Sequence, residues 1–316
     1  MERNRIIIPI RGNALAGSKP NLGVIGVGLM GHGIAKNLVE KGFATSVLGH
    51  RNRAPVDDLV KRGARAALSA PDLAAGADII IVCVPATPDV ERILLGAGGL
   101  LEAARPGQII VDCSTSEPDS TLRLDALAAA KGVRFADAPL ARTPKEAEEG
   151  RLNTMVGADP EVFAAIRPVL EAFCENIFHL GGVGSGHKVK LLNNLLTMGQ
   201  AALIAEALVT GAKAGVDLKA FCEVITAGGA NSGIFQMLAV KAMAGDYAGL
   251  NFGLDLARKD LRYYTHLAEQ LGVPSPMGDA VHQCFVEASA LGFGPRLVAS
   301  LIEAKAQVAG ATVVPR

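Results

Sequence analysis

The chain has 316 residues, half of them hydrophobic, and its 31 basic residues balance 31 acidic ones. This length and apolar content predict a globular chain of two domains with substantial cores. The formal net charge of zero excludes a global attraction to nucleic acid or to an anionic membrane, so any anion site must be local.

Residues 1 to 20 are predicted to be an N-terminal tail, because their run IIIPI is too short for a signal peptide. The most apolar stretch, residues 195 to 215, is interrupted by Gln200, Glu206 and Lys213, so we expect no membrane span. The five cysteines are isolated and lack metal-type spacing. This usage favours a reduced, cytoplasmic protein without a metal site.

Short apolar runs alternate with helical patterns over the first two thirds of the chain. The predicted strands are residues 23–27, 44–48, 78–84, 108–114, 133–139 and 153–157, and the predicted helices are 31–41, 55–62, 88–95 and 118–131. The apolar residues of each strand are contiguous, which indicates a parallel sheet covered on both faces. Repeated strand–helix–strand units predict an α/β Rossmann-type doubly wound sheet.

The pattern changes after GGVGSG, residues 181 to 186, to long helical segments rich in alanine and leucine. We see no convincing strand beyond this point. The sequence therefore predicts an α/β domain over residues 21–183 followed by an all-α domain over residues 184–316.

The segment GVIGVGLMGHGIAKNLVEKG places Gly26, Gly28 and Gly31 as GxGxxG between a strand and a helix. Gly26 permits a tight turn, Gly28 lets the backbone approach a pyrophosphate, and Gly31 allows close helix packing. The phosphates would lie at the positive end of the helix. We predict a dinucleotide site here; a glycine-rich turn without ligand is the alternative.

The end of the second strand normally carries an acid that binds the ribose hydroxyl of NAD, whereas arginine accepts the phosphate of NADP. No acid lies between Glu40 and Asp57, and the segment GHRNRAP supplies Arg51, Asn52 and Arg53. This favours NADP over NAD. Alternatively, both arginines are solvated and NAD is bound without an acidic partner.

The helix that opens the second domain carries a polar stripe. Lys190, Asn193, Asn194 and Thr197 are spaced i, i+3, i+4 and i+7, within one arc of the helix. The stripe could be a solvated face. However, Lys190 near the positive end of a helix and partly buried should have a lowered pKa, so it could donate and accept the proton that accompanies hydride transfer. Asn194 could then position the substrate or Lys190.

Five segments in order resemble a known family: GVIGVGLMG, DCSTSEP (112 to 118), DAP (137 to 139) followed by Gly150, GxGxxxKxxNN (184 to 194) and FGLDLARKD (252 to 260). They are similar to the β-hydroxyacid dehydrogenases over residues 21–305. The group includes 3-hydroxyisobutyrate dehydrogenase, tartronate semialdehyde reductase and sulfolactaldehyde reductase.

The resemblance implies NAD(P)-dependent interconversion of a short 3-hydroxy acid and its semialdehyde by a homodimer or homotetramer. It implies a catalytic Lys190 and substrate contacts from Asn193, Asn194 and Thr197. The implied cofactor contacts are Gly26, Val27, Gly28, Leu29, Met30, Gly31, Val84, Pro85, Thr115, Phe252 and Lys259. Phe252 would also help to close the pocket. Arg51 and Asn52 fall where NADP-preferring members carry an Asn-Arg-Thr element.

One segment departs from the family pattern. Most members read DAPVSGG, whereas this chain has Leu140, Ala141, Arg142 and Thr143 at the last four positions. A similar arginine helps sulfolactaldehyde reductase to hold a sulfonate. We therefore predict that Ala141, Arg142 and Thr143 bind the anionic group of the substrate, a carboxylate or a sulfonate. Alternatively, Arg142 pairs with Glu146 or Glu148.

Three other readings remain: a catalytically silent Rossmann binding module, an imine reductase and a decarboxylating 6-phosphogluconate dehydrogenase. The presence of Lys190 disfavours the first two. The third requires a longer helical domain than this chain provides.

Overall fold

A computed structural model describes residues 19–313 of the protein. The predicted tail lies outside the described residues, except for Lys19 and Pro20. The chain forms two compact units, one ending at Lys190 and the other beginning at Leu191. This division falls inside a helix, a few residues beyond the boundary expected from the sequence.

The first unit is built from alternating strands and helices. Its elements are β1 (Leu22–Ile25), α1 (Leu29–Glu40), β2 (Thr45–Leu48), α2 (Ala54–Lys61), β3 (Arg65–Ala66), α3 (Ala70–Gly76), β4 (Ile79–Val82), α4 (Thr87–Leu95), α5 (Leu100–Ala103), β5 (Ile109–Asp112), α6 (Pro118–Ala129), β6 (Arg134–Asp137), β7 (Leu140–Ala141), α7 (Pro144–Glu149), β8 (Leu152–Val156), α8 (Pro160–Leu170) and β9 (Cys174–His179).

The main sheet is parallel and has the strand order β3-β2-β1-β4-β5-β6. Side chains on a strand point alternately to the two faces. In β4, Ile79 and Ile81 join the core on one face, while Ile80 and Val82 join the core on the other. Both faces are therefore buried, which explains the contiguous apolar runs and confirms the Rossmann-type fold.

The predicted strand 153–157 does not belong to the main sheet. It corresponds to β8, which pairs antiparallel with β7 and parallel with β9 in a separate three-stranded sheet. Pro139 follows β6 and has no amide hydrogen for a strand ladder, so the chain leaves the main sheet there. The sequence did not reveal β9, because CENIFH is largely exposed and has no apolar run.

Helix α9 (Ser185–Lys213) crosses the division between the units. The second unit continues with α10 (Leu218–Ala227), α11 (Gly233–Phe235), a π-helical turn (Gln236–Val240), α12 (Lys241–Met243), α13 (Leu254–Gln270), α14 (Pro276–Ala288), a second π-helical turn (Ser289–Phe293), a 3-10 turn (Val298–Ser300) and α15 (Leu301–Ala309). Its described residues form no strand, only the isolated bridge between Gly253 and Leu297. This confirms the helical second domain.

By length and composition alone, α9 is apolar enough to cross a membrane. The core helix of a soluble protein meets the same two criteria. The expectation that this chain has no membrane span stays a prediction.

Candidate active site

The glycine-rich turn has the geometry that a pyrophosphate needs. Gly26 has φ of 91°, and a Cβ there would lie 2.2 Å from the carbonyl oxygen of Cys83. A Cβ on Gly31 would lie 1.8 Å from the carbonyl oxygen of Gly26. By contrast, nothing lies within 4 Å of a Cβ built on Gly28, the residue before α1. The turn is closed toward the protein and open at Gly28, so a phosphate fits against the start of α1.

The other three residues of the turn differ in exposure. Val27 is buried in the core, Met30 packs partly against it, and the Leu29 side chain is 78% exposed. Of these three side chains, Leu29 is the most accessible to a bound dinucleotide.

Val84 and Pro85 follow β4, the neighbour of β1 in the sheet, and Thr115 follows β5, the next strand beyond β4. Ligands of doubly wound sheets bind outside the carboxyl ends of such strands. The amide of Val84 donates to the Ser114 hydroxyl oxygen at 3.0 Å, which ties the two segments together. The structure thus brings three predicted cofactor residues to the edge that carries the glycine-rich turn.

The loop after β2 is exposed and carries two cations. The Asn52 side-chain oxygen accepts from the amide of Ala54 at 3.1 Å, which fixes the loop before α2. Arg53 lies 4.0 Å from Asp57, an exposed pair. The arrangement leaves Arg51 and Arg53 open to an anion at the end of β2.

Lys190 lies in the second turn of α9 and is only 9% exposed. The fully buried Asp137, at the end of β6, accepts hydrogen bonds from the amides of Gly184 at 2.6 Å and His187 at 2.7 Å. A carboxylate therefore lies at the positive end of the helix dipole. The sequence predicts Lys190 near this end but does not identify a carboxylate there. Burial raises the pKa of Asp137, while His187 and the two amides act to lower it.

His187 completes a buried polar cluster before Lys190. Its Nδ1 is 2.7 Å from the Thr121 hydroxyl, and its Nε2 is 3.2 Å from the Ser114 carbonyl oxygen. Asp112 binds the amide of Ser114 at 2.8 Å and lies 3.8 Å from Nε2. The cluster fixes the first turn of α9 to the ends of β5 and β6.

In the second unit, Asn194 is held by Asp260 of α13. The Asn194 amide donates to Asp260 Oδ2 at 2.6 Å, and Lys259 Nζ lies 3.0 Å from Oδ1. The Asn193 amide donates to the Asn194 side-chain oxygen at 3.1 Å. Phe252 packs partly buried against the helical core.

The exposure of α9 is the reverse of a solvated polar face. Lys190 and Asn194 are 9% and 4% exposed, whereas Leu192 and Leu196 are 48% and 67% exposed. The Thr197 hydroxyl donates to the Asn193 carbonyl oxygen at 2.9 Å. The solvated-face alternative for Lys190 and Asn194 is therefore wrong.

The predicted anion loop lies between β7 and α7. Arg142 has φ of 81°, the left-handed region that favours glycine. Its guanidinium donates to the Arg151 carbonyl oxygen at 2.5 Å and to the carboxylate of Glu175 in β9. The alternative pairing of Arg142 with Glu146 or Glu148 is wrong. Glu146 is hydrogen-bonded to Thr143, and Glu148 is paired with His32 and Lys36.

The two residues beside Arg142 already take part in local structure. Ala141 ends β7. The amide of Thr143 donates to Glu146 at 3.0 Å and its hydroxyl also contacts that carboxylate, forming a capping box at the start of α7. A substrate anion bound here would compete with Glu146 for Thr143 and with Glu175 for Arg142.

Sequence reasoning missed the residues that support these side chains, namely Asp112, Asp137, His187 and Asp260. Asp112, Asp137 and Asp260 lie in the segments that carried the family resemblance, and His187 stands three residues before Lys190. Their roles depend on contacts between residues distant in sequence. Within residues 19–313, no group of three or more histidine, cysteine, aspartate or glutamate side chains could hold a metal ion.

Two protein-family models match the chain. The NAD binding domain of 6-phosphogluconate dehydrogenase matches residues 21–181, and the model described as "NAD-binding of NADP-dependent 3-hydroxyisobutyrate dehydrogenase" matches residues 184–304. The chain belongs to the β-hydroxyacid dehydrogenase family.

Characterised proteins similar to this β-hydroxyacid dehydrogenase span nearly its whole length. The chain is 38% identical to 2-(hydroxymethyl)glutarate dehydrogenase of Eubacterium barkeri, over 92% of this chain and 97% of that protein. It is 32% identical to 3-sulfolactaldehyde reductase of Escherichia coli strain K12, over 91% and 96% of the two chains.

The solved structure of Mycobacterium tuberculosis 3-hydroxyisobutyrate dehydrogenase with L-serine matches with a TM-score of 0.81. The two chains are 26% identical, and the match covers 90% of this chain and 99% of that one. This β-hydroxyacid dehydrogenase is an NAD(P)-dependent oxidoreductase that acts on a CH-OH group, so the silent-module reading is wrong.

Proposed function

We propose that the enzyme interconverts a short 3-hydroxy acid and its semialdehyde, with Lys190 as the acid–base group. One observation carries this proposal: the Lys190 side chain is buried on a helix whose Leu192 and Leu196 side chains are exposed. Burying a lysine is costly, because its charge leaves water. A chemical task explains its position better than packing does.

The reaction needs a hydride and a proton. A bound nicotinamide supplies or accepts the hydride. In reduction, Lys190 Nζ donates a proton to the oxygen that becomes the hydroxyl, and in oxidation it accepts that proton. Only the neutral amine of Lys190 can accept the proton in oxidation, and only the ammonium can donate it in reduction.

Asn194 is proposed to orient the substrate. Its amide is fixed by the buried Asp260, so the side chain keeps one orientation. A preoriented donor or acceptor saves the entropy that a mobile side chain would lose on binding. Asn193 and Thr197 stand on the same arc of α9 and are proposed to extend this surface.

Arg142 is proposed to hold the anionic group of the substrate, assisted by Ala141 and Thr143. A planar guanidinium binds a carboxylate or a sulfonate with paired hydrogen bonds. The relatives support both anions, since one acts on 2-(hydroxymethyl)glutarate and another on 3-sulfolactaldehyde. We favour a carboxylate, as in tartronate semialdehyde or 3-hydroxyisobutyrate, with a sulfonate as the alternative.

We propose NADP as the preferred cofactor, because Arg51 and Arg53 stand exposed after β2. Changing Arg51 to aspartate should shift the ratio of kcat/KM values toward NAD, since a carboxylate repels the 2′-phosphate and binds the free hydroxyl. Arg62→Gln, which alters an exposed cation paired with Glu40 and Asp58, is the matched control. An unchanged ratio in Arg51→Asp would contradict the NADP proposal.

Self-association as a homodimer or homotetramer is proposed from the exposed leucines of α9. Leu192, Leu196 and Leu203 are between 48% and 67% exposed and share one face of the helix. A second copy would bury this apolar face. Light scattering on the wild type and on Leu203→Glu tests this, and a wild-type monomer would refute it.

The central experiment is a substrate screen with both cofactors. Oxidation of 3-hydroxyisobutyrate, glycerate, 2-(hydroxymethyl)glutarate and 2,3-dihydroxypropane-1-sulfonate, and reduction of the corresponding aldehydes, should reveal turnover of at least one pair. A comparison of glycerate with 2,3-dihydroxypropane-1-sulfonate decides whether a carboxylate or a sulfonate is preferred. If no anionic hydroxy acid or aldehyde reacts with either cofactor, the proposed function is wrong.

A further inference from the structure

The start of α9 is fixed by a residue far away in the sequence. The Asp137 carboxylate accepts the amides of Gly184 and His187, 47 and 50 residues further along the chain. A Cβ on Gly157 would lie 2.4 Å from Asp137 Oδ1, and a Cβ on Gly186 would lie 2.9 Å from Oδ2. Backbone therefore encloses this carboxylate closely, so the first turn of α9 has little freedom to shift.

His187 attaches the same turn to two further elements. Its ring is fully buried, with Nδ1 against the Thr121 hydroxyl of α6 and Nε2 against the Ser114 carbonyl oxygen. A carbonyl oxygen only accepts hydrogen bonds, so Nε2 carries a hydrogen and donates it. The bond to Ser114 therefore has a defined direction.

Ser114 extends this attachment to the cofactor edge of the sheet. Its hydroxyl oxygen accepts the amide of Val84, and the next residue in the chain is Thr115. Val84 and Thr115 are both predicted cofactor contacts. A single imidazole thus connects the turn before Lys190 to the segments at the ends of β4 and β5.

We propose that His187 is a positioning residue for Lys190. Its hydrogen bond to the Ser114 carbonyl oxygen sets the place of the Lys190 amine, one turn further on, relative to the nicotinamide edge of the sheet. This proposal rests on the proposed function, because it takes Lys190 as the acid–base group. A misplacement of about 1 Å at a reacting group can cost about 10²-fold in rate.

Three substitutions separate the two bonds of the ring. His187→Gln places an amide near the position of Nε2 and can still donate to Ser114, whereas His187→Asn can reach only Thr121. His187→Leu keeps an apolar volume and makes neither bond. We expect kcat to fall about 10-fold to 10²-fold in the Leu and Asn variants, and to be largely restored in the Gln variant. KM for the cofactor should not change.

Two further measurements distinguish positioning from a general loss of structure. The pH profile of kcat should move in the Leu and Asn variants, because the surroundings of the Lys190 amine change. Hydrogen exchange of the amides from Gly184 to Lys190 should accelerate in the same variants and not in the Gln variant. The control is Ser120→Ala, which removes a buried hydroxyl bonded to Glu91 from the same helix as Thr121; its kcat and pH profile should match the wild type.

Wild-type kcat in His187→Leu would overturn the proposal. Equal losses in the Gln, Asn and Leu variants with an unmoved pH profile would overturn it as well, because they would indicate a structural role only. Lys190→Met, measured in parallel, separates this failure from that of the proposed function. If that variant keeps its turnover, Lys190 is not the acid–base group; if it loses turnover while His187→Leu does not, only the positioning role is wrong.

Discussion

The turn that carries Lys190 and the loop that carries Arg142 belong to the same unit, but they are held in opposite ways. Buried side chains from β5, α6 and β6 fix the Lys190 turn through several hydrogen bonds. The Arg142 loop is exposed, adopts a backbone conformation suited to glycine, and holds its guanidinium on one carboxylate and one carbonyl oxygen. The residue proposed for proton transfer is enclosed by buried contacts. The residue proposed for anion recognition is exposed and could exchange its present partners for a substrate anion.

This contrast matches what the two tasks require. Proton transfer tolerates little displacement of the donor, so the donor must be rigid. In the proposed function, recognition of the anion determines which hydroxy acid is used, and it can change with one exposed residue outside the hydrophobic core. We therefore expect substitutions at the Lys190 turn to affect kcat and substitutions at the Arg142 loop to affect KM.

The largest effect is expected for Lys190→Met, which keeps the volume of the side chain and removes the amine. Without a general acid–base group, kcat should fall by about 10² to 10⁴-fold. Cofactor affinity, measured by fluorescence titration, should stay unchanged. Lys188→Met, at an exposed position two residues earlier, is the control and should keep wild-type turnover.

A second prediction concerns Arg142→Gly. Loss of a charge-assisted contact worth about 1.5–3 kcal/mol should raise KM for the anionic substrate about 10-fold to 10²-fold with little change in kcat. Glycine also relieves a strained φ worth about 1 kcal/mol, so thermal unfolding should occur no earlier than in the wild type.

Arg142→Ala is the matched control for this prediction. It removes the same guanidinium but keeps the strained backbone, so it should raise KM equally and unfold at a lower temperature than the glycine variant. Equal KM values in the wild type and both variants would show that Arg142 does not bind the substrate.

A smaller effect is expected for Glu175→Gln. Glu175 pairs with Arg142 and would compete with a substrate anion for it, so neutralising Glu175 should lower KM for the anionic substrate. The effect should disappear in the Arg142→Gly background, which a double-mutant cycle measures. Glu171→Gln, which removes an exposed carboxylate paired with Arg167, should leave KM unchanged. A raised KM in Glu175→Gln would contradict this competition.

The smallest effect concerns two buried thiols, one near each region. Cys113 follows β5 beside Ser114, and Cys174 begins β9 beside Glu175. Burial raises the pKa of Cys174 to about 12 and that of Cys113 well above its usual range, so neither forms thiolate at pH 8. Iodoacetamide should therefore label both only through local opening of the structure.

Between the two thiols we expect Cys174 to react first. It lies on an edge strand whose other residues are mostly exposed, and such strands open more easily than a central core strand. Mass spectrometry over a labelling time course measures the order. Faster labelling of Cys113 would contradict the expectation that the Lys190 region is more rigid than the Arg142 region.

The sequence predicted those parts of the fold that leave a local pattern. Apolar runs such as that of β4 predict the main sheet, and the glycine-rich turn before α1 predicts the dinucleotide site. The small sheet was not predicted as such, because β7 has two residues and β9 is mostly exposed. The assignment of β8 to the small sheet depends on the direction that the chain takes after Pro139. The apolar pattern of the sequence does not predict that direction.

The candidate site shows the same limit. Helical spacing predicts Lys190 and Asn194 as site residues, and the departure from a family pattern predicts Arg142; these assignments stay predictions. The partners Asp260 and Glu175 lie 66 and 33 residues away from the side chains they hold. Such pairings form only when the fold brings separate segments together, so a single sequence contains no local sign of them.

The capping of α9 by Asp137 also bears on how the chain folds and how it can be divided. The amides at the start of this helix donate to a carboxylate that lies 47 and 50 residues earlier in the chain, so local sequence alone does not set where the helix begins. A fragment starting at residue 184 would lack this carboxylate, and one ending at residue 183 would leave it buried without its two donors. The gene therefore cannot be cut at the domain boundary suggested by sequence without damaging both pieces; a cut would have to keep Asp137 and the first turn of α9 on one polypeptide.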